Sequence, residues 1–357
     1  MTLGAAAAFG LLVALLLVFG RGNRAANRWL AAVVIIVVLR MTPYVIGYAG
    51  FYDAYPWLSY APFEVSLALG PLLWFHVWRL TGSDLPPRWW MHLIPGIVQF
   101  AYRCVIFVQP LGWKNAWDTN VHVTLIEPTE SLFALVSLGF YIWLAAQRYR
   151  TYQRWLVTNV SDRDEHRQPW LRNTLIAMGI TLFVTAGFES YERLIATLTY
   201  FDRFPLYLFF SALVVYLGLE GWRHAAHRFP AMVDFAEPAL SLPRDWSAEG
   251  REWADRIDQE RWWAEPQLSL AEVARRLGTN QSYVSRALND GLGVNFNSLI
   301  NKMRVAHVQR VIRTAAVGHD LLSIALDAGF SSKASFNRAF REHSGVTPSA
   351  FRTSQMQ

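Results

Sequence analysis

The sequence predicts an all-α protein: a seven-transmembrane-helix bundle followed by a cytoplasmic all-helical domain with two helix-turn-helix units joined by a linker helix. Composition, apolar runs and charge distribution carry this expectation. Hydrophobic residues make up 53% of the 357 and charged residues only 17%, whereas a soluble domain holds about 25% charged residues. The apolar residues gather into long runs that end near residue 228. Beyond them the charge is segregated: residues 229–268 hold 4 basic and 9 acidic residues, residues 269–357 hold 11 basic and 5 acidic. An aromatic share of 15% excludes a disordered chain. The single cysteine, Cys104, excludes an intramolecular disulfide and a structural zinc site of several thiolates.

The apolar runs are Leu3–Phe19, Trp29–Ile46, Tyr60–Leu80, Trp89–Gln109, His122–Ala146, Leu171–Ile195 and Pro205–Trp222. A helix needs about 20 residues to cross a bilayer, and several runs come near that. Soluble helices keep a polar face, and Ala31–Leu39 has none. Arginines collect in alternate connections, at Arg21, Arg24 and Arg28, at Arg79 and Arg88, at Arg148 to Arg172, and after the last run at Arg223 and Arg228. The positive-inside bias then places the N-terminus outside and the C-terminal part in the cytoplasm. Leu3–Phe19 has no basic residue before it and no small-residue cleavage pattern after it, which favours an uncleaved span over a signal peptide. His76, Arg79 and His92 are expected at the inner headgroups.

Pro230, Pro238 and Pro243 break the chain after the spans, and a helical pattern runs from Asp245 to Trp263. Trp246 and Trp253 on its face would meet either a second protomer or the domain that follows. In Leu268–Asp290, Leu270, Val273, Ala274 and Leu277 recur at helical spacing; Gly278 makes a turn and Asn280 caps a second helix. The outer face of that helix holds Gln281, Ser282, Ser285 and Arg286. In Asp320–Gly345, Gly329 turns, Phe330 plugs the junction, and Ser331 or Ser332 caps a helix with Phe336 and Phe340 facing inward. Its outer face is expected to present Lys333, Ala334, Ser335, Asn337 and Arg338. Gln and Asn suit adenine, Arg suits guanine, and Ala suits a thymine methyl, so both outer faces are candidate base readers. Between the two pairs a linker helix runs over Phe296–Arg313 with Leu299, Met303, Ala306, Val308 and Ile312 as its apolar positions. Lys302, Arg304 and Arg341 are expected to hold phosphates.

The last hundred residues resemble the C-terminal DNA-binding domain of the AraC/XylS family of bacterial transcription regulators. Ala325, Gly329-Phe330, Ser335-Phe336, Arg338, Phe340-Arg341, Gly345, Thr347-Pro348 and Phe351-Arg352 fit that family's most specific segment. Leu270, Ala274, Ser282, Ser285-Arg286, Leu288 and Gly293 fit its first unit. The resemblance implies sequence-specific binding of double-stranded promoter DNA, commonly as a homodimer, and contact with RNA polymerase. Upstream the chain departs from most of the family, with spans where a soluble effector domain is usual, and so looks like the rarer membrane-integrated members of a bacterial inner membrane.

Charged residues inside spans are costly and therefore informative. Arg40, Glu64, Arg103, Glu127, Glu130, Glu189 and Glu192 fall at one outer depth, with Tyr44, Tyr60 and Tyr102 near them. Internal salt bridges and a ligand pocket are both open explanations; a pocket would take a zwitterionic or acidic small molecule, or titrate as a proton sensor. His122 with Glu127 and Glu130 has poor spacing for a metal, and no metal or cofactor is expected. Nucleotide loops, nucleophile elbows and zinc-protease motifs are absent from the sequence, so no enzymatic activity is expected. The expected organisation is a membrane sensor at 1–228, an acidic linker and connecting helix at 229–264, and the DNA-binding domain at 265–357. The alternatives are a transporter or channel with a regulatory DNA-binding tail, and a regulator released by proteolysis.

Overall fold

The computed structural model describes the chain except residues 21, 83, 161–167, 227–228, 233–244, 315–319 and 356–357. Arg21, Arg163, Arg167 and Arg228, and Pro238 and Pro243 of the linker, lie outside the described residues. The chain divides into two compact units, Met1–Arg150 with Gln168–Met232, and Thr151–Arg167 with Val233–Gln357.

The first unit contains α1 (Thr2–Phe19), α2 (Arg24–Tyr48), α3 (Leu69–Thr81), α4 (Ile94–Phe107), α5 (Leu111–Trp117), the greater part of α6 (Glu127–Asn159), α7 (Pro169–Leu194) and α8 (Phe204–His224). Six helical stretches among the described residues are long and apolar enough to cross a membrane: Thr2–Phe19, Arg24–Tyr48, Trp89–Phe107, Leu111–Asn159, Pro169–Leu194 and Phe204–His224. The expected third run, Tyr60–Leu80, is the exception. Only α3 is a regular helix there; its 13 residues reach about 20 Å, short of the ~30 Å hydrocarbon thickness. Residues 61–65 ahead of it are irregular. Almost every residue of α3 is buried, with Leu73, Phe75 and Val77 wholly so. A helix apolar on all sides and packed among other helices reads in sequence like a span.

The core of this unit joins α1, α2, α3 and α8 through Leu17, Leu30, Val34, Leu73, Phe75 and Val214. Small residues let the backbones approach: a Cβ on Gly10 would lie 2.6 Å from Val214 and 2.7 Å from Val38, and one on Gly221 2.6 Å from Leu30. The opposite helix faces leave Leu12, Leu16, Phe133, Val136, Phe140, Ile176 and Phe183 exposed. Rows of large apolar side chains at helical spacing are what lipid contact requires. His76, expected at the headgroups, is instead buried, its Nδ1 2.9 Å from the Ala26 carbonyl.

Between α5 and α6 the helix widens into a π-helical stretch, Asp118–Ile126. Thr119, Asn120 and Thr124 bond carbonyls four residues back, at 3.1, 2.7 and 2.9 Å, as such side chains do where a helical ladder is perturbed. His122 is the buried residue of this stretch.

The second unit contains α9 (Trp246–Gln259), α10 (Leu270–Leu277), α11 (Gln281–Arg286), α12 (Phe296–Thr314), α13 (Leu321–Asp327), α14 (Lys333–Ser344) and α15 (Pro348–Ser354). It has two cores. Ile257, Trp263, Leu270, Val273, Val284, Leu288 and Ile300 make one; Val305, Val308, Ala325, Phe330, Phe336 and Phe340 make the other. α12 contributes to both and so spans them. Trp253 lies against the first core, and the Trp246 ring is 5.7 Å from that of Tyr283. Both tryptophans therefore pack within this unit. Residues 151–159, the end of α6, and Val160 after it also belong to it: Asn297 Nδ2 donates to the Val160 carbonyl at 2.7 Å.

Candidate nucleic-acid interface and intramembrane cavity

Short-range chemistry builds each helix pair of the second unit. Ser269 caps α10, its hydroxyl accepting from the Glu272 N–H at 3.3 Å, and Gly278 ends it at φ +68°, in the left-handed region glycine tolerates. Asn280 Oδ1 accepts from the Tyr283 N–H at 2.9 Å and starts α11. In the other pair, Gly329 turns at φ +87°, and Ser332, rather than Ser331, caps α14 by accepting from the Ser335 N–H at 3.2 Å. Phe330, Phe336 and Phe340 are buried beneath α14, with ring centroids 5.4 and 5.6 Å apart in sequence.

On α14, Lys333, Ala334, Asn337, Arg338 and, further on, Arg341 are exposed. Ser335 is not: it is 5% exposed and its hydroxyl donates to the Ser332 carbonyl at 2.9 Å. The expectation of an outward Ser335 is corrected. Its partner on the same stripe is Ala339, also buried, one helical turn away, and that spacing is the signal that places it.

On α11, Gln281, Ser282, Ser285 and Arg286 are half-buried. Ser285 Oγ accepts from Asn289 Nδ2 at 3.1 Å. The Arg286 guanidinium lies 5.5 Å from the Trp246 ring and 3.6 Å from Asp290.

Lys302 is exposed on α12, whereas Arg304 is wholly buried. Its Nε donates to the Trp263 carbonyl and its Nη2 to the Glu265 carbonyl, both at 2.7 Å, and its guanidinium sits 5.6 Å from the Phe330 ring. The expectation that Arg304 holds a phosphate is corrected: it ties the segment after α9 to the second core. Ile300, Arg304 and Val308 recur every four residues on one buried stripe, so helical phase rather than residue type marks its position.

In the first unit the residues expected at one outer depth enclose a cavity of about 430 Å³. Arg40, Tyr44, Tyr60, Glu64, Arg103, Glu127, Glu130 and Glu189 line it. Tyr102 and Glu192 stand outside its wall: Tyr102 Oη is 3.4 Å from His122 Nδ1, and Glu192 pairs with Arg203. Arg203, Gln99, Asp118 and Tyr207 also line the cavity and escape the sequence reading, and His122, weighed there only as a metal ligand, joins them. Arg203 and Asp118 fall between apolar runs or at their edges, and Tyr207 looks like any buried aromatic, so only tertiary folding brings them in. Two arginines and two carboxylates pair across the wall. Arg40 reaches Glu64 at 2.8 Å, and Arg103 reaches Glu130 at 2.6 Å while its Nη1 lies 3.1 Å from His122 Nε2. The irregular backbone before α3 is held here too, since Gln99 Oε1 accepts from the Leu67 N–H at 3.1 Å and its Nε2 donates to Ser66 Oγ at 3.3 Å. Among the described residues no group of three metal-ligating side chains assembles.

A family model described as a helix-turn-helix domain matches residues 273–354. Uncharacterised HTH-type transcriptional regulators of Staphylococcus aureus, from strains COL and N315, are each 34% identical over 85 residues, 24% of this chain and 11% of theirs. The chain thus spans about a tenth of the length of these relatives. The probable transcription factor PqrA of Proteus vulgaris is 30% identical over 96 residues, 25% of this chain and 77% of that protein. No solved structure matches the chain.

Proposed function

The chain belongs to the helix-turn-helix-type transcriptional regulators as a membrane-associated member, and from that premise we propose that it is a one-component receptor of the AraC/XylS type. In this proposal the outer-depth cavity receives a signal, and α11 and α14 read successive major-groove segments of promoter DNA. Base contacts fall to Lys333, Ala334, Asn337 and Arg338 on α14, and to Gln281, Ser282, Ser285 and Arg286 on α11. Lys302 and Arg341 hold phosphates. The active form is a homodimer on repeated half-sites that contacts RNA polymerase.

One observation carries the proposal. A single chain holds a charged cavity enclosed among apolar helices, and also a helix, α14, whose polar outer face is exposed over a buried phenylalanine core. A signal shifts DNA occupancy only by its preference for one conformation over another. The connecting segment 229–264 is the proposed transmitter, and the end of α6, held by Asn297, is a second route.

We place the protein in a bacterial inner membrane with its N-terminus outside. An outside N-terminus and a cytoplasmic DNA-binding region require an odd number of crossings. Six long helices and the short α3 make seven. Non-helical backbone at membrane depth is tolerated where it lines a polar cavity or is buried in protein; Ala61, Phe63, Glu64 and Ser66 line the cavity, which supports counting α3 with its lead-in as a span.

The test is genome-wide DNA occupancy of the full-length, membrane-anchored protein beside an Arg338→Ala variant. Discrete promoter peaks that weaken in the variant are expected, with a loss of about 1–3 kcal/mol and relaxed preference at one base pair. An equal loss on every sequence would reduce Arg338 to a phosphate contact. Peaks made only by a soluble C-terminal fragment would favour release by proteolysis over the tether.

A further inference from the structure

The cavity carries more negative than positive charge, and its arginines are already engaged. Its wall holds three guanidinium groups, Arg40, Arg103 and Arg203, against five carboxylates, Glu64, Asp118, Glu127, Glu130 and Glu189. Arg40 is taken by Glu64 at 2.8 Å and Arg103 by Glu130 at 2.6 Å, while Arg203 pairs with Glu192 just outside the wall. Glu189 has Arg193 3.6 Å away, but Arg193 is 42% exposed and also donates to the Pro128 carbonyl at 3.0 Å. Glu127 is half-buried and makes no hydrogen bond or ion pair among the described residues; the charges of Arg203 and Arg103 reach it only from beyond pairing distance, and those arginines are paired with Glu192 and Glu130. It lines the cavity near Glu189.

A carboxylate partly withdrawn from water and without a paired counter-ion is unfavourable, and a ligand that supplies the counter-charge recovers that cost. An anionic ligand would have to break an arginine–carboxylate pair and leave a further carboxylate unpaired. Beside neutral polar groups such as Gln99, Ser131, Thr181 and Thr185, the wall has an apolar and aromatic part in Val37, Phe63, Leu138, Tyr207 and Phe210. Such surfaces take up a hydrocarbon or aromatic body and tolerate a cation at their ring faces. The volume, about 430 Å³, lies within the usual range for small-molecule sites.

We propose that the cavity binds an organic cation, an ammonium group on an apolar body, with Glu127 as its counter-charge and Glu189 beside it. This rests on taking the cavity as the regulator's signal site, and it replaces the acidic or zwitterionic ligand expected from residue types alone.

The test is calorimetric titration of full-length protein in lipid nanodiscs, with empty nanodiscs as baseline. The probes are 2-phenylethylammonium and choline as cations, 2-phenylethanol as a neutral isostere, phenylacetate as an anion and phenylalanine as a zwitterion. At least one cation is expected to bind saturably and at least tenfold more tightly than the neutral, anionic and zwitterionic probes. Glu127→Gln should weaken it about tenfold, while Glu220→Gln, at a residue outside the cavity wall and paired with Arg223, should leave it unchanged. Equal or tighter binding of phenylacetate or phenylalanine, no saturable cation binding, or an unaltered affinity in Glu127→Gln would overturn the proposal. Promoter occupancy measured in parallel separates this from the sensor reading. A cation that binds through Glu127 without changing occupancy refutes the sensor and keeps the ligand class. Occupancy that changes in Glu127→Gln without any cation binding does the reverse.

Discussion

Arg304→Ala tests whether the linker helix works as an internal brace. The side chain is fully buried and donates two hydrogen bonds of 2.7 Å to the carbonyls of Trp263 and Glu265. Bonds from a charged donor contribute about 1.5–3 kcal/mol each, and truncation leaves the acceptors without those donors. Truncation removes the charge together with its two bonds and leaves neutral carbonyls, so the cost is that of the two bonds. The second unit should therefore lose about 3–6 kcal/mol, among the larger effects a point substitution produces. For a unit of about 140 residues each kcal/mol shifts the midpoint by about 4 °C, so a fall of roughly 12 °C or more is expected. Differential scanning calorimetry gives the midpoint, and the salt dependence of DNA affinity gives the number of phosphate contacts. Lys302→Ala, on the exposed side of the same helix, is the control. It should leave the midpoint unchanged and reduce the slope of log affinity against log salt by about 0.9. If Arg304→Ala behaved like that control, keeping its stability while losing one unit of slope, the brace would be refuted and Arg304 would be a phosphate ligand.

Three further outcomes follow from local geometry. Asn280→Ala removes the acceptor of the Tyr283 N–H and should cost about 1 kcal/mol, seen as faster hydrogen exchange at the start of α11, with Asn280→Asp or Asn280→Ser restoring most of it. Gly329→Ala should abolish stable folding of the α13–α14 pair, since φ is +87° and the new Cβ would lie 2.5 Å from the Ala264 carbonyl oxygen. Gly278→Ala, at φ +68° with open space around it, should cost only about 1–2 kcal/mol; equal losses at the two glycines would refute the close approach. Burial, with Arg261 and Arg310 nearby, lowers the His307 pKa. The folded state then resists a proton that the unfolded chain takes up near pH 6.5, so the second unit should lose stability as pH falls through about 6.5 toward the lower folded value. An NMR titration of His307 with a midpoint above 6.5 would contradict this.

Much of this protein is decided within a few residues along the chain, and that part was legible. Asn280 and Gly278, or Ser332 and Gly329, act through hydrogen bonds and dihedral angles one to three residues away, so a turn can be read wherever such residues stand. Apolar runs longer than a bilayer is thick announce their solvent in the same way. What the sequence by itself determined is therefore the all-helical class, the apolar first part, and the two capped helix pairs on a basic background.

Tertiary structure decided which polar groups meet. Arg40, Arg103, Glu64 and Glu130 are visible as costly residues in expected spans, but pairing them requires packing segments 20 to 30 residues apart in the chain. Only that pairing reveals that the arginines are neutralised and the net charge left in the cavity is negative. Tyr60–Leu80 reads as a span because a helix buried among other helices and a helix buried in lipid share one composition; α3 differs in its neighbours, not its residues. Arg304 and Ser335 follow the same logic. A charged or polar type suggests an outward side chain, yet each lies on a buried stripe where carbonyls of the folded chain satisfy it. Residue type sets what a group needs; only the fold determines whether water, lipid, a ligand or another part of the chain supplies it.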